Sequence, residues 1–316
     1  MLTVQLKEPT IDLKELDAMI NAKIPNGIEI HPQSLVSFNF NKLTCKKAVN
    51  IVRASKSIGS LGGGNHFIEV GENSKKELFL VIHSGSRNIG NQVARYHQHI
   101  AWKNVNEMKT IREKLISKLK LEGRENEISK EIKKLIKPKA NKNLAYLSGD
   151  DFNNYINDMK IMQEYAVLNR RTMANIILSE MNLTEHNSFE TIHNYIDFNR
   201  MILRKGAVSS EKGEILLIPI NMRDGSLICK GKGNADWNYS APHGAGRLMS
   251  RSKAKKVLDL DTFKKQMENV YSTSVGDSTI DEAPDAYKPM SEIIETIGET
   301  VEIVDIIKPI YNFKSH

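Results

Sequence analysis

Apolar residues along the chain change period several times, and each change marks an element. "LTVQL" at the start alternates as a strand does, and after Asp12 the spacing lengthens to that of a helix, with Asp12 standing where an N-cap belongs. A polar connection follows through Pro25, Gly27 and Pro32. Residues 66–86 predict two strands. "HFIEV" alternates, while "LFLVIHSGS" is a continuous apolar run ending in polar and glycine residues, as a buried strand does when it delivers side chains to a site. From about Gly90 to Met181 the period is helical. Met108, Ile111, Leu115 and Leu119, then Ile128, Ile132 and Leu135, recur at three- and four-residue spacing and predict an amphipathic helical pair turning near Gly123. Val167, Ala174, Leu178 and Met181 form a later apolar face of core type. β-Prone runs return from His193 to Gly233, "HGAGRLMSRSKAKKVL" passes from loop into helix, and "TVEIVDIIKPIYNFK" closes with strands broken by Pro309. Strands, then helices, then strands predict an α+β domain with a helical insertion.

Composition narrows the class. A chain of 316 residues buries one large core or two smaller ones, and 40% hydrophobic with 26% charged residues is ordinary for a globular protein. The start carries no targeting pattern and no apolar run reaches membrane-span length, so a cytoplasmic location is expected. Cys45 and Cys229 are far apart and do not make a disulfide framework; Cys229, in "SLICKGKG", reads as a small buried hydrophobe. The net charge of +7 is concentrated: residues 103–139 hold 12 Lys/Arg against 6 Glu. A solvated helix face is the simpler account of that segment, and attraction to a phosphate backbone the other.

The chemistry gathers in four turns. "SLGGGNHFIEV" sets three glycines and Asn65 before His66; "VIHSGSRNIG" ends a strand at His83, with Arg87 following; "TIHNYIDFN" holds His193; "APHGAGRLMSR" leaves His243 exposed among small residues. Arg247 and Arg251 follow His243 at the four-residue interval that stacks two guanidiniums on one helix face. Neutral imidazoles bind Mn, Zn or Fe, arginines hold phosphate oxygens by forked hydrogen bonds, and glycine-rich backbone lets a polyphosphate approach N–H donors. Together these suit phosphoryl or nucleotidyl transfer, in which a histidine outside the metal shell can be the nucleophile. Spacing alone does not say which histidine. The chain has neither of the usual nucleotide-loop fingerprints and no Cys-x-x-Cys or His-Glu-x-x-His.

"LGGGNHFIEV", "HSGSRNIG", "HNY", "RKGAVS", "HGAGRLMSRSKAKK", "DEAPDAYK" and a lysine near the C-terminus, in that order, resemble the RtcB-type RNA ligases, the GTP- and manganese-dependent tRNA-splicing ligases. The resemblance implies an RtcB-like fold, packed β-sheets around a central active-site cleft, in one ligase domain over residues 1–316 with the helical insertion at 91–185. It implies that His243 takes GMP from GTP, that GMP passes to an RNA 3′-phosphate opened from a 2′,3′-cyclic phosphate, and that a 5′-hydroxyl RNA completes the joint. By the same carry-over His66, His83 and His193 match metal ligands for two Mn²⁺ ions. Asn65, Glu69, Ser209, Tyr287 and Lys314 match guanine-nucleotide contacts, and Arg87, Arg247 and Arg251 match arginines that hold phosphates. The glycines before Asn65 let the backbone bend so that Asn65 reaches nucleotide while His66 reaches metal.

Family members also carry an Asp-x-x-Cys-Gly stretch, upstream of the region corresponding to Met1, whose aspartate and cysteine bind manganese. The reading therefore expects this chain to lack that segment, as a fragment, a late-started frame or a protein completed in trans. Cys45, in "KLTCKKAV", lacks the segment's context. Beside the ligase stand two other readings: a catalytically impaired RNA- or nucleotide-binding relative, and a phosphoesterase that opens cyclic phosphates without joining ends.

Overall fold

A computed structural model of the chain describes residues 1–106, 108–135 and 141–315, so the end of the basic segment, 136–139, lies outside the described residues. The elements run β1 (Leu2–Leu6), α1 (Leu13–Lys23), α2 (Ile51–Ser57), β2 (Phe67–Glu72), β3 (Leu78–His83), α3 (Arg87–Asn106), α4 (Met108–Leu121), α5 (Ile128–Lys134) and α6 (Gly149–Glu180). Then follow β4 (Glu185–Glu190), β5 (Tyr195–Asp197), β6 (Ile202–Arg204), β7 (Ala207–Ser209), β8 (Ile215–Asn221), β9 (Gly225–Gly231), β10 (Ser240–Pro242), α7 (Arg251–Val257), α8 (Leu260–Gln266), α9 (Met290–Thr296) and β11 (Val301–Lys314). The mixture is the α+β class read from the pattern. No helix of the described residues is long and apolar enough to cross a membrane.

The chain divides into two compact units: Met1–Phe38, Val52–Arg87 and Gln163–His316 form the first, Asn39–Ile51 and Asn88–Met162 the second. The first is organised by an antiparallel sheet of order β4-β1-β3-β2-β11-β9-β8. Alternation along β2 and β3 sends Ile68, Val70, Leu78, Leu80 and Ile82 to one face, against Leu16 and Ile20 of α1 and Met173, Ala174 and Ile177 of α6. Phe67, Phe79 and Val81 go to the opposite face, with Leu217 and Ile307. Both faces are covered, which is why "LFLVIH" reads as unbroken apolar sequence. Each fully buried leucine or isoleucine there contributes roughly 1.5–3 kcal/mol. Asp12 caps α1 as expected, its carboxylate accepting from the N–H groups of Lys14 and Glu15. Cys229 is buried in the core under β8 and β9.

Three sequence expectations change. Pro309 does not break the last strand: β11 is continuous, and the irregularity is absorbed as a register shift between Pro309 and Tyr311, opposite Gly71. Gly71 makes that approach possible, since a Cβ there would lie 2.4 Å from Ile307 Cγ2. The second β region starts at β4, ahead of His193; "EHNSFE" is polar and lies at the sheet edge, so it lacks the apolar alternation that would reveal a strand. Arg247 lies outside α7, which begins at Arg251 after its N-cap Ser250, so the two arginines do not share a helix face.

The second unit holds the amphipathic pair α4 and α5, turning at Gly123 in the left-handed region (φ 69°). Part of the basic charge is spent locally: Arg124 bridges Glu122 and Glu127, and Lys134 pairs with Glu131. The unit's anchor is the fully buried Asp158 of α6. Its carboxylate accepts from Thr44 N–H (2.8 Å), Thr44 Oγ1 (2.7 Å), Cys45 N–H (3.2 Å) and His97 Nε2 (3.0 Å), tying the 39–51 segment to two helices. Among the described residues, Cys45, His97 and Asp158 are also the one group of His, Cys, Asp or Glu whose ligand atoms all lie within 4.8 Å of each other. The carboxylate is already filled by protein donors, and burial, then Asp158, pushes the Cys45 thiol up to about 12, so the group is a hydrogen-bonded anchor built on a neutral thiol. Asp158→Ala should leave those buried donors unpaired and cost about 2–4 kcal/mol. The expected reading is a lowered urea midpoint with faster amide exchange in α3 and α6; wild-type exchange in both helices would refute the anchor.

Candidate functional site

The site follows from strand register. In the antiparallel pairs β2–β3 and β2–β11, Phe67 faces His83 on one side and Lys314 on the other, and Glu69 faces Asn312. One sheet face therefore presents a histidine, a carboxyl, an amide and an amine within two residue rows. Asn312 Nδ2 donates to Glu69 Oε2 (2.8 Å), while Glu69 Oε1 and Asn312 Oδ1 are buried with no hydrogen-bond partner among the described residues. Burial pushes the Glu69 carboxyl up to about 7, against the opposing pull of Asn312.

A cavity of about 180 Å³ opens on this face and brings together Asn65, Glu69, His83, His193, His243, Arg247, Arg251, Tyr287 and Lys314. His66 does not line it. The rings of His66 and His83 are 5.6 Å apart, those of His83 and His193 5.2 Å, and those of His193 and His243 5.0 Å, so four imidazoles from four separate turns form one row. Burial, then Arg87, pushes His66 down to about 4. Burial, then His243, pushes His193 down to about 3, and burial with its neighbouring imidazoles holds His83 well below the ordinary range. These three rings are neutral near pH 7, the form that donates a lone pair to a metal. Among the described residues, Nδ1 of His66 and Nδ1 of His193 are buried without a hydrogen-bond partner, as nitrogens suited to binding a cation would be.

His243 is half-buried where the sequence reading has it exposed, and its environment differs from that of the other three. Its Nδ1 lies 2.8 Å from the carbonyl of Gly206. A carbonyl only accepts, so Nδ1 carries the proton and the neutral ring keeps its lone pair on Nε2. Gly206, at φ 69°, is itself fixed by its N–H donating to Asn194 Oδ1 (2.8 Å), one residue beyond His193.

Gly62 explains the glycine run. It sits at φ 87°, and a Cβ there would fall 1.5 Å from Arg87 Nη1 and 2.8 Å from His66 Nδ1. The bare backbone leaves room for the guanidinium and the ring. Arg87 donates from Nε to Ser60 Oγ (3.0 Å) and from Nη2 to the Gly27 carbonyl (3.0 Å), so it braces the loop and does not line the cavity. Ser209 is also elsewhere: its hydroxyl donates to Glu214 (2.6 Å) beside a separate cavity of about 90 Å³.

On the far wall Glu282, only 2% exposed, gathers the positive groups. Oε1 accepts from Arg251 (2.9 Å) and Arg247 (3.2 Å), and Oε2 from Tyr287 Oη (2.7 Å) and Lys314 Nζ (2.6 Å). Asp281 takes the other arm of Arg251 (2.9 Å), and its carbonyl accepts from Arg247. Arg247, although in a loop, is thus held to the same point as Arg251, with its guanidinium carbon 5.0 Å from the Tyr287 ring centre. Sequence reasoning missed Glu282, Asp281, Asn312 and Asn194. The acidic pair stood in "DEAPDAYK" and Asn312 two residues from Lys314 on one strand face, which is the available signal; their partners lie far away along the chain.

A family model described as tRNA-splicing ligase RtcB matches residues 33–315. The chain is 29% identical over 274 residues to the RNA-splicing ligase RtcB of Escherichia coli K12, covering 81% of this chain and 60% of that protein. It is 26% identical over 296 residues to the tRNA-splicing ligase RtcB of Aeropyrum pernix, covering 77% and 56%, and 24% identical over 343 residues to that of Nanoarchaeum equitans, covering 90% and 66%. The chain therefore spans about 60% of the length of the bacterial relative.

Burial raises the Glu282 carboxyl, but Lys314 and the other donors outweigh it and hold it below its ordinary 4.5. Its contribution is thus complete above pH 4.5 and lost as pH falls through the lowered value. Glu282→Gln should cost about 3–5 kcal/mol at pH 7 by leaving the buried Lys314 ammonium unpaired. It should also flatten the loss of stability below pH 4.5 in urea titrations. Equal acid slopes for the variant and wild type would show that the charge of Glu282 is not what holds the wall.

Proposed function

Because the chain belongs to the RtcB family, we propose that it is an RNA ligase joining 2′,3′-cyclic-phosphate or 3′-phosphate ends to 5′-hydroxyl ends at the expense of GTP. The observation that carries this reading is the row of imidazoles ending in His243, whose protonated Nδ1 leaves Nε2 as the free nucleophilic atom. Nε2 attacks the α-phosphorus of GTP; an N–P bond forms, the P–O bond to pyrophosphate breaks, and GMP stays on His243. Water opens a 2′,3′-cyclic end by breaking the P–O2′ bond; the resulting 3′-phosphate oxygen then takes GMP from nitrogen, and the 5′-hydroxyl of the second RNA attacks the activated phosphorus, releasing GMP and leaving a 3′,5′-phosphodiester. Mn²⁺ held by His66, His83 and His193 would neutralise phosphate charge beside this centre.

The chain's own groups divide the remaining work. Arg247, Arg251 and Lys314 are already aimed by Glu282, so phosphate oxygens meet cations whose positions are fixed in advance. Asn65 and Glu69 line the same cavity, and the carboxyl of Glu69 can accept from the donor edge of a guanine. Tyr287, whose phenol burial and Glu282 keep protonated, lines the cavity and gives its one proton to Glu282, holding that carboxylate among the cations. A cytoplasmic setting and an RNA partner belong to the same proposal.

The test supplies GTP, Mn²⁺ and two RNAs with the matching ends. Joined product that requires GTP is expected from the chain, and His243→Ala should abolish it while its thermal melt stays near wild type. Joining by that variant would contradict the assignment. GTP-independent opening of the cyclic phosphate without joining would make the protein a phosphoesterase, and GTP binding without either would make it an impaired relative. Arg251→Lys should lower kcat/KM for joining by about tenfold or more, because an ammonium cannot span two carboxylates and a phosphate as the planar fork does. Full activity in that variant would show that charge alone suffices there.

A further inference from the structure

Beside the histidine cavity lies a larger groove of about 540 Å³, whose lining includes Leu203, Lys205, Gly206, Trp237 and Pro242. Leu203 is 72% exposed and Trp237 54% exposed, two large apolar side chains open to solvent on one groove. The indole is nevertheless fixed, since Nε1 donates to Glu299 Oε2 (2.7 Å). The turn that carries it is strained: Asn238 (φ 49°) and Tyr239 (φ 52°) are consecutive non-glycine residues in the left-handed region. A buried arginine maintains that geometry. Arg204 donates to the carbonyls of Asn238 (3.4 Å) and Tyr239 (3.2 Å) and to Ser240 Oγ (2.9 Å), and is itself held by Asp197. Arg200 covers the Tyr239 ring at 3.8 Å.

We propose that this groove binds the single-stranded RNA segment next to the end being joined, with a base stacked on Trp237 and a phosphate near Lys205. The inference rests on the ligase reading. Two features argue for this occupant. A rigid, half-exposed indole offers a face on which any base stacks, and the exposed Lys205 supplies a cation for a phosphate, while the Glu299 carboxylate at the groove accepts from the indole Nε1–H. The groove is also continuous with the reacting centre: Pro242 precedes His243, and the Gly206 carbonyl is the group that orients its ring. A strand lying in the groove thus ends at the imidazole row.

Trp102 and Trp237 are the chain's two tryptophans, so Trp102→Phe leaves Trp237 as the sole fluorescent reporter. Adding a short single-stranded RNA with a 3′-phosphate to the Trp102→Phe protein should quench that emission, and a duplex of the same sequence should not. In the wild-type background Trp237→Ala should raise the Kd for the single strand by about tenfold or more, and Trp237→Phe should restore most of the affinity. Unchanged emission, equal quenching by the duplex, or wild-type affinity in Trp237→Ala would overturn the groove. Covalent GTP labelling of the wild-type chain is measured alongside: labelling with no response at Trp237 rejects the groove alone, whereas no labelling rejects the ligase reading beneath it.

Discussion

β11 lies between β2 and β9, and its pairing register with β2 is the constraint from which the site is built. A one-residue slip would exchange the two faces of the strand, sending Asn312 and Lys314 into the apolar layer and Tyr311 and Phe313 into the cavity. The present register sets Asn312 against Glu69 and Lys314 against Phe67, with His83 one strand further across. Tyr311 and Phe313, both fully buried against α1 and α6, make the alternative costly, so the apolar core on one face fixes the polar chemistry on the other.

Two electrostatic regimes then meet in one small volume. On one side burial strips charge from His66, His83 and His193, leaving lone pairs. On the other, Glu282 and Asp281 keep arginine and lysine in place and offset part of their charge until a ligand arrives. His243 stands where the two regimes join, its ring oriented by a backbone carbonyl and bordered by His193. Neutral imidazoles, tethered cations and an oriented imidazole require different surroundings, and segments far apart along the chain supply them.

Much of this was legible in the sequence. β2 and β3 follow from alternation and a long apolar run, α1 from its aspartate cap, and the histidines from the glycine- and asparagine-rich turns that hold them. What was not legible depends on distant partners or on irregularity. Nothing in "DEAPDAYK" says that its glutamate collects Lys314 and Arg251, and nothing in "TCKK" says that Cys45 meets an aspartate in a later helix. The bulge at Pro309 and the polar edge strand β4 both depart from the periodicity on which the reading relied. Arg87 and Ser209 sit in recognisable motifs but turn to the loop and to Glu214, away from the cavity, which motif spacing does not specify.

The proposed ligation turns on His243 carrying the transferable nucleotide, while the obvious competitor, Lys314, is committed to Glu282. Peptide mapping by mass spectrometry after incubation with GTP and Mn²⁺ tests it directly, because histidine and lysine phosphoramidates are located by the fragment that carries the added GMP. The adduct is expected on the peptide containing His243 and on no other. An adduct on Lys314, or on His66, His83 or His193, would contradict it.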